Sequence, residues 1–228
     1  HLHHPLEEQG VDFWWVDWQS GGATSIPGLD PLWMLNHIHY LDSGRAGRRP
    51  LTFPRYAGPG SHRYPVGFSG DTIVTWASLD FQPYFTATAA NIGYPWWSHD
   101  VGGHMHGVRD VELATRWFQL GVFSPVNRLH SSNSPFATKE PWSYGPQAER
   151  IMTAYLRLRH RLVPYLYTAA CRTHLENRAL VRPLYHQDPH VREAYLSPNT
   201  AYVVDDLLLA PTTSPEDPDS HLPAVHPW

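Results

Sequence analysis

Short apolar runs alternate along the chain with longer stretches of helical spacing, and most runs end in a charged or polar residue. Val11 to Val16 is β-branched and aromatic, which predicts a strand ending at Asp17. The loop Gln19-Ser-Gly-Gly follows, and helical periodicity covers about Leu32 to Leu41. Leu51-Thr-Phe-Pro ends in Arg55 and opens into a loop that runs from Gly58-Pro-Gly-Ser to Gly70-Asp71. Leu79, Tyr84 and Ala87 predict a helix over Trp76 to Ala90, with Pro83 marking a kink or restart. Ile92 to Trp97 reads as a strand ending in His99 and Asp100, and Arg109 to Leu120 as a helix. Val122 to Asn127 is a further strand candidate, ending in Arg128 and His130. Gln147 to Leu175 has the period of one long helix or a pair, broken near Pro164, and Leu180 to Tyr185 is the fifth strand.

Strands alternating with helices predict an α/β chain with a parallel sheet. In a (β/α)8 TIM barrel the site is built at the C-terminal ends of the strands, so functional residues recur just past each apolar run. Asp17, Arg55, Asp100, Arg128 and His130 keep this rhythm. A doubly wound open sheet is the alternative, although no run leads into a Gly-x-Gly-x-x-Gly turn. Eight βα units need about 250 residues, whereas five fill positions 11 to 186. The expectation is a piece of a larger protein, with barrel units before residue 1 and a second domain cut short after residue 210.

Composition narrows the partners. Charged residues make up only 17% of the 228 positions, with 17 Lys and Arg against 21 Asp and Glu, and Lys139 is the single lysine. A net charge of -4 leaves no basic stripe for a phosphate backbone, so no nucleic-acid partner is expected. No run reaches the roughly 18 apolar residues needed to cross a bilayer, so no membrane partner is expected either. Cys171, the one cysteine, precludes an intrachain disulfide and any multi-cysteine zinc site. It reads as a small buried hydrophobe on a helix. A lone cysteine leans toward a cytoplasmic location, with any signal peptide lying upstream.

The candidate chemistry starts from two carboxyls. A glycosidic bond is cleaved by one group that attacks the anomeric carbon or activates water and another that protonates the leaving oxygen. Asp17 and Asp71 would both stand in βα loops. Trp14, Trp15 and Trp18 flank Asp17 as a wall for a sugar ring, with one of Trp14 and Trp15 turned into the core. Asp100 would accept from sugar hydroxyls, and Arg55, Arg128 and His130 would donate to them. Taken singly, each aspartate fits a turn or a helix cap better than a catalytic role. His99, His104 and His106 are spaced like metal ligands but lack a fourth ligand or a His-Glu-x-x-His helix, so neither metal nor cofactor is expected. Arg157, Arg159 and Arg161 read as a solvated helix face. These residues describe a barrel enzyme acting on a polyhydroxylated substrate. A non-catalytic carbohydrate-binding protein using the tryptophans and a metallohydrolase using the histidines are the alternatives.

Four segments in order resemble glycoside hydrolase family 31, the retaining α-glucosidase and α-xylosidase family. Trp15-Val-Asp17-Trp18 is similar to its nucleophile segment, and Gly60-Ser-His-Arg63-Tyr-Pro-Val-Gly-Phe68-Ser-Gly-Asp71 to its acid/base segment, with Arg55 sixteen positions earlier. Ser98-His-Asp100-Val-Gly-Gly resembles the segment whose Asp binds the sugar in subsite -1. Asn127-Arg128-Leu-His130 and Glu140-Pro-Trp142 resemble the segment that contacts the same ring. The likeness runs from about Val11 to Ala210. It implies double displacement with Asp17 as nucleophile and Asp71 as acid/base, roughly 5 Å apart. Trp15, Trp18, Arg55, Phe68, Asp100, His104, Arg128 and His130 would bind substrate. The substrate would be an α-glycoside or oligosaccharide, and α-glucosidase activity leads over α-xylosidase, α-galactosidase, transglucosidase and glucan lyase. The family places these segments on about strands four to eight, which assigns residues 1–189 to a partial barrel and 190–228 to the start of a β-sandwich. Phe68 stands where many members have Trp, Trp18 where several have Met, and His104 where Phe is common, which bears on the choice of sugar.

Overall fold

The computed structural model describes residues 2–17, 23–56, 58–203 and 206–215. Trp18, with the loop that follows it, therefore lies outside the described residues. The chain divides into two compact units, His1–Gly70 and Asp71–Trp228.

In the first unit, β1 (Trp14–Val16) and β2 (Thr52–Pro54) pair in parallel with Trp14 opposite Thr52 and Val16 opposite Pro54. The crossover between them is α2 (Pro31–Ser43), a right length for a βαβ unit. Asp30 starts α2 by accepting from the Leu32 amide at 2.8 Å, and Pro31 occupies the first turn, where a missing N–H costs nothing. Asn36 is buried on α2 and donates to the Arg55 carbonyl at 2.9 Å, tying the helix to the end of β2. A short helix, α1 (His4–Glu8), brings Glu7 to the Trp14 indole N–H at 2.8 Å and to Arg45. A third strand, β3 (Val66–Phe68), continues the parallel order through a bridge between Arg55 and Phe68. It lies inside what reads from sequence as one loop, because a three-residue strand centred on glycine has no period to recognise.

The second unit contains α3 (Trp76–Thr88), β4 (Trp96–Ser98), α4 (Val111–Phe123), α5 (Pro146–Arg161) and α6 (Val163–Glu176). It continues through β5 (Val181–Pro183), α7 (Glu193–Leu196), β6 (Ala201–Val203) and β7 (Leu207–Leu209). Pro83 sits within α3, which runs through it to Thr88 with Leu79, Gln82, Thr86 and Ala87 buried on the same side. Asp110 caps α4 by accepting from the Glu112 and Leu113 amides at 2.8 and 3.2 Å. The core gathers Leu79, Val101, Leu113, Trp117, Phe118 and Met152, and a second cluster joins Leu166, Leu180, Val181, Ala201 and Val203.

Several expectations are corrected here. Val122 to Asn127 is not a strand: α4 extends to Phe123, and residues 124–127 belong to no strand. Arg159 is the physical reason for the clean end of that helix. It donates to the carbonyls of Val122, Ser124 and Pro125 at 2.8, 2.6 and 2.9 Å, supplying partners that a helix terminus lacks. Arg159 is thus half-buried, while Arg157 and Arg161 remain exposed as expected. The Gln147 to Leu175 stretch is a pair of helices that breaks at Leu162, with Pro164 in the first turn of α6. Cys171 is on α6 but exposed rather than buried. The fifth run does not join a parallel sheet: β5 pairs antiparallel with β6, Val181 opposite Val203, and β6 antiparallel with β7. Among the described residues no helix is long and apolar enough to cross a membrane.

His99, just past β4, is 0% exposed, and both ring nitrogens are buried without a hydrogen-bond partner among the described residues. Burial, then the nearby Arg128 charge, hold its pKa down to about 3. Between pH 6.5 and 3 the unfolded chain takes up a proton at this histidine that the folded chain excludes, so falling pH destabilises the fold. The expected loss approaches about 1.4 kcal/mol per pH unit over that window. Urea unfolding of wild type and His99→Leu at pH 7, 6 and 5 checks this, and equal acid slopes in the two proteins would remove His99 as the cause.

Candidate active site

The parallel register of β1 and β2 sets Asp17 and Arg55 side by side, one residue past the paired Val16 and Pro54. Arg55 Nε donates to Asp17 Oδ1 at 2.6 Å, a charge-assisted contact. The Arg55 guanidinium lies 5.5 Å from the centre of the Phe68 ring, so the arginine is held by an aromatic face as well as by a carboxylate. Gly70 has φ +87°, and a Cβ there would collide with that guanidinium, so glycine is required on two counts. Trp15 is 42% exposed and stands edge-on to Phe53 and Phe68, with centroids 5.1 and 5.2 Å away. Trp14 is the more buried of the two, as the alternation of a strand requires. The first unit thus gathers Asp17, Arg55, Phe68 and Trp15 at one end of its parallel strands.

In the second unit, Asp71 opens a loop that is laced to the turn after β4. The Thr72 carbonyl accepts from the His104 and Met105 amides at 2.6 and 3.3 Å, and the Val74 amide donates to Met105 at 3.2 Å. Asp100 is 1% exposed and forms an ion pair with Arg128 Nη2 at 2.6 Å, while Arg128 Nε donates to Ser98 Oγ at 3.0 Å. The Val101 amide donates to the Arg128 carbonyl at 3.2 Å, which fixes this segment beside the end of β4. Burial pushes the Asp100 carboxyl up, and the charges of Arg128 and His104 pull it back. The turn closes through the Gly103 amide to the Asp100 carbonyl at 2.8 Å, and Gly103, at φ +75°, leaves no room for a Cβ against Val74.

His104 stands between two carboxylates. Its Nε2 is 3.7 Å from Asp71 Oδ1 and its Nδ1 3.8 Å from Asp100 Oδ2, and its ring lies 4.7 Å from that of His130. Asp100, His104 and His130 present ligand-type atoms within 4.8 Å of one another. A metal ion there would meet the Arg128 guanidinium already paired with Asp100, so the arrangement fits hydroxyl groups better than a cation. The trio suggested by sequence spacing does not assemble, because His99 is in the core and His106 is exposed. The second unit therefore brings Asp71, Asp100, His104, Arg128 and His130 into one neighbourhood.

Lys139, which stands out in the sequence only as the single lysine, belongs beside this site. Lys139 is buried, 8% exposed, and donates from Nζ to the Gly102 carbonyl at 2.9 Å, directly beneath the Asp100 turn. Its solitude is the signal: among 17 lysines and arginines it is the one lysine.

A sequence description of the family, "Glycosyl hydrolases family 31 TIM-barrel domain", matches residues 1–169. The chain belongs to glycosyl hydrolase family 31, and it is an α/β part of that TIM barrel. It is 32% identical over 169 residues to alpha-glucosidase 2 of Bacillus thermoamyloliquefaciens, covering 74% of this chain and 21% of that protein. It is 28% identical over 220 residues to an alpha-xylosidase of Saccharolobus solfataricus, covering 93% of this chain and 30% of that protein. Among solved structures, a Flavobacterium johnsoniae family 31 dextranase complexed with glucose superposes with a TM-score of 0.81 at 25% identity, covering 94% of this chain and 30% of that one. An alpha-xylosidase from a soil metagenome complexed with xylose gives 0.80 at 28% identity, covering 94% and 37%. The chain thus spans between a fifth and about a third of the length of the curated relatives named here.

Proposed function

We propose that this chain carries the reacting groups of a retaining α-glycosidase, with α-glucosides as the leading substrates and α-xylosides next. The observation that carries the proposal is the buried Asp100 paired with Arg128 and laced through His104 to the Asp71 loop. A carboxylate paired in this way with a guanidinium is suited to accept from sugar hydroxyls. Asp17 attacks the anomeric carbon and forms a glycosyl-enzyme while Asp71 delivers a proton to the leaving oxygen. Asp71 then takes a proton from the water that cleaves the intermediate, so configuration is retained. Arg55 orients the Asp17 carboxylate for attack. Trp15, Phe68, Arg128 and His130 line the glycone.

The domain assignment belongs to the same proposal: residues 1–189 as a partial barrel, on about strands four to eight, and 190–228 as the opening of a β-sandwich. The antiparallel β6 and β7 support the second part, although β5, at Val181–Pro183, enters the same sheet from the barrel side of the boundary.

A panel of aryl α-glycosides offered to the full-length protein, with NMR detection of the first-formed sugar, tests the function. The expected result is turnover of an α-glucoside or α-xyloside with the α anomer appearing first. Appearance of the β anomer first would overturn double displacement.

A further inference from the structure

We infer that Lys139 is a positioning residue for sugar recognition, its buried ammonium fixing the turn that presents Asp100. This inference rests on the proposed glycosidase function. Lys139 occupies a loop that is itself held in place. Arg109 donates to the Phe136 carbonyl at 3.0 Å, Thr138 Oγ1 at 3.1 Å and the Ser143 carbonyl at 2.7 Å, and lies 4.6 Å from the centre of the Tyr144 ring. Tyr144 in turn donates to the Thr138 carbonyl at 2.6 Å, next to the lysine. The backbone around Lys139 is therefore fastened independently of its side chain.

The side chain then reaches the Asp100 turn from below. Its Nζ donates to the Gly102 carbonyl, and a Cβ at Gly102 would lie only 3.1 Å from Nζ and 3.3 Å from Cδ. The lysine stem therefore fits against a bare glycine. Burying an ammonium is costly, and an apolar side chain of the same length would fill this space without that cost. The hydrogen bond to the Gly102 carbonyl and the attraction of Asp100 oppose part of that cost. Asp100 thus has Arg128 in contact and His104 on its other side, while Lys139 holds the Gly102 carbonyl two residues further along the same turn. A turn held rigid from this side keeps the Asp100 carboxylate, 1% exposed, aligned to accept from hydroxyls.

Burial lowers the Lys139 pKa to about 8, opposed by Asp100 and assisted by Arg109. A lysine shifted in this direction loses its charge as pH rises through that value, so glycone affinity should weaken between pH 7 and 9. The test uses the full-length protein, Lys139→Met and Lys139→Arg, and the monosaccharide that the wild type releases. Lys139→Met is expected to raise KM and the monosaccharide Kd by about tenfold or more, the loss of one charge-assisted interaction, with kcat changed by less than about threefold. Lys139→Arg is expected to recover part of the affinity because it keeps the charge. Wild-type affinity should fall with a midpoint near pH 8, and Lys139→Met should be flat over the same range. Unchanged KM and Kd in a folded Lys139→Met would overturn the role of Lys139 alone. If that variant does not fold, a flat wild-type affinity from pH 7 to 9 overturns it. Absence of turnover of every α-glycoside by wild type overturns the glycosidase function and this role with it.

Discussion

Asp17→Asn in the full-length protein is expected to lower kcat by about 10⁴-fold or more, the scale seen when a covalent nucleophile is removed. Asparagine keeps the shape of the side chain and an oxygen able to accept from Arg55 Nε, which now meets Asp17 Oδ1 at 2.6 Å. The ion pair sits at the open end of the strands, partly accessible to solvent, so its loss should cost little stability. The amide, however, is far too weak a nucleophile to attack the anomeric carbon. The signature is a loss in kcat with a thermal midpoint close to wild type, measured side by side on the same preparations. Turnover at the wild-type rate in Asp17→Asn would remove Asp17 from the chemistry.

The second large effect depends on the leaving group. In Asp71→Ala, substrates whose leaving group needs protonation, such as disaccharides, are expected to slow by about 10² to 10⁴, the range of general acid catalysis. Aryl glycosides with acidic phenols depart without that proton, so the glycosyl-enzyme still forms and then waits for a water that no base activates. Azide needs no deprotonation, and millimolar azide should restore turnover and yield a glycosyl azide of retained configuration. The Thr72 carbonyl is anchored by the His104 and Met105 amides, so truncating Asp71 leaves the loop in place. An equal loss with both leaving-group classes, together with no azide adduct, would exclude Asp71 as the acid/base.

Much of the proposed site is legible because each polar residue follows a short apolar run. Asp17 after Val16 and Arg55 after Pro54 are read in this way, and the parallel register then sets them in contact. Asp100 is read similarly, from its place after a strand and before two glycines. The same logic fails for Val122 to Asn127. A helix whose buried stripe ends in Leu120, Gly121 and Val122 leaves an apolar run that a strand would also leave. Arg159 decides between them by satisfying the carbonyls at the helix end, a contact across 35 residues that no local pattern records.

Side-chain roles show the same divide. His99 and Asp100 are adjacent and both buried, yet the histidine is held neutral in the core while the aspartate finds a guanidinium. Arg157, Arg159 and Arg161 look alike in sequence, and only the middle one is half-buried against helix-end carbonyls.

From its sequence alone the chain makes legible the ends of β1 and β2, most of its helices and the residues proposed to react, because these depend on short-range alternation of apolar and polar residues and on motif spacing. Tertiary structure alone decides the direction of β5, the extent of α4 and the burial of His99 and Lys139. The physical reason is that pairing direction, desolvation and charge balance are set by groups distant in sequence. Lys139 and Gly102, 37 residues apart, meet only once the loop and the turn have folded.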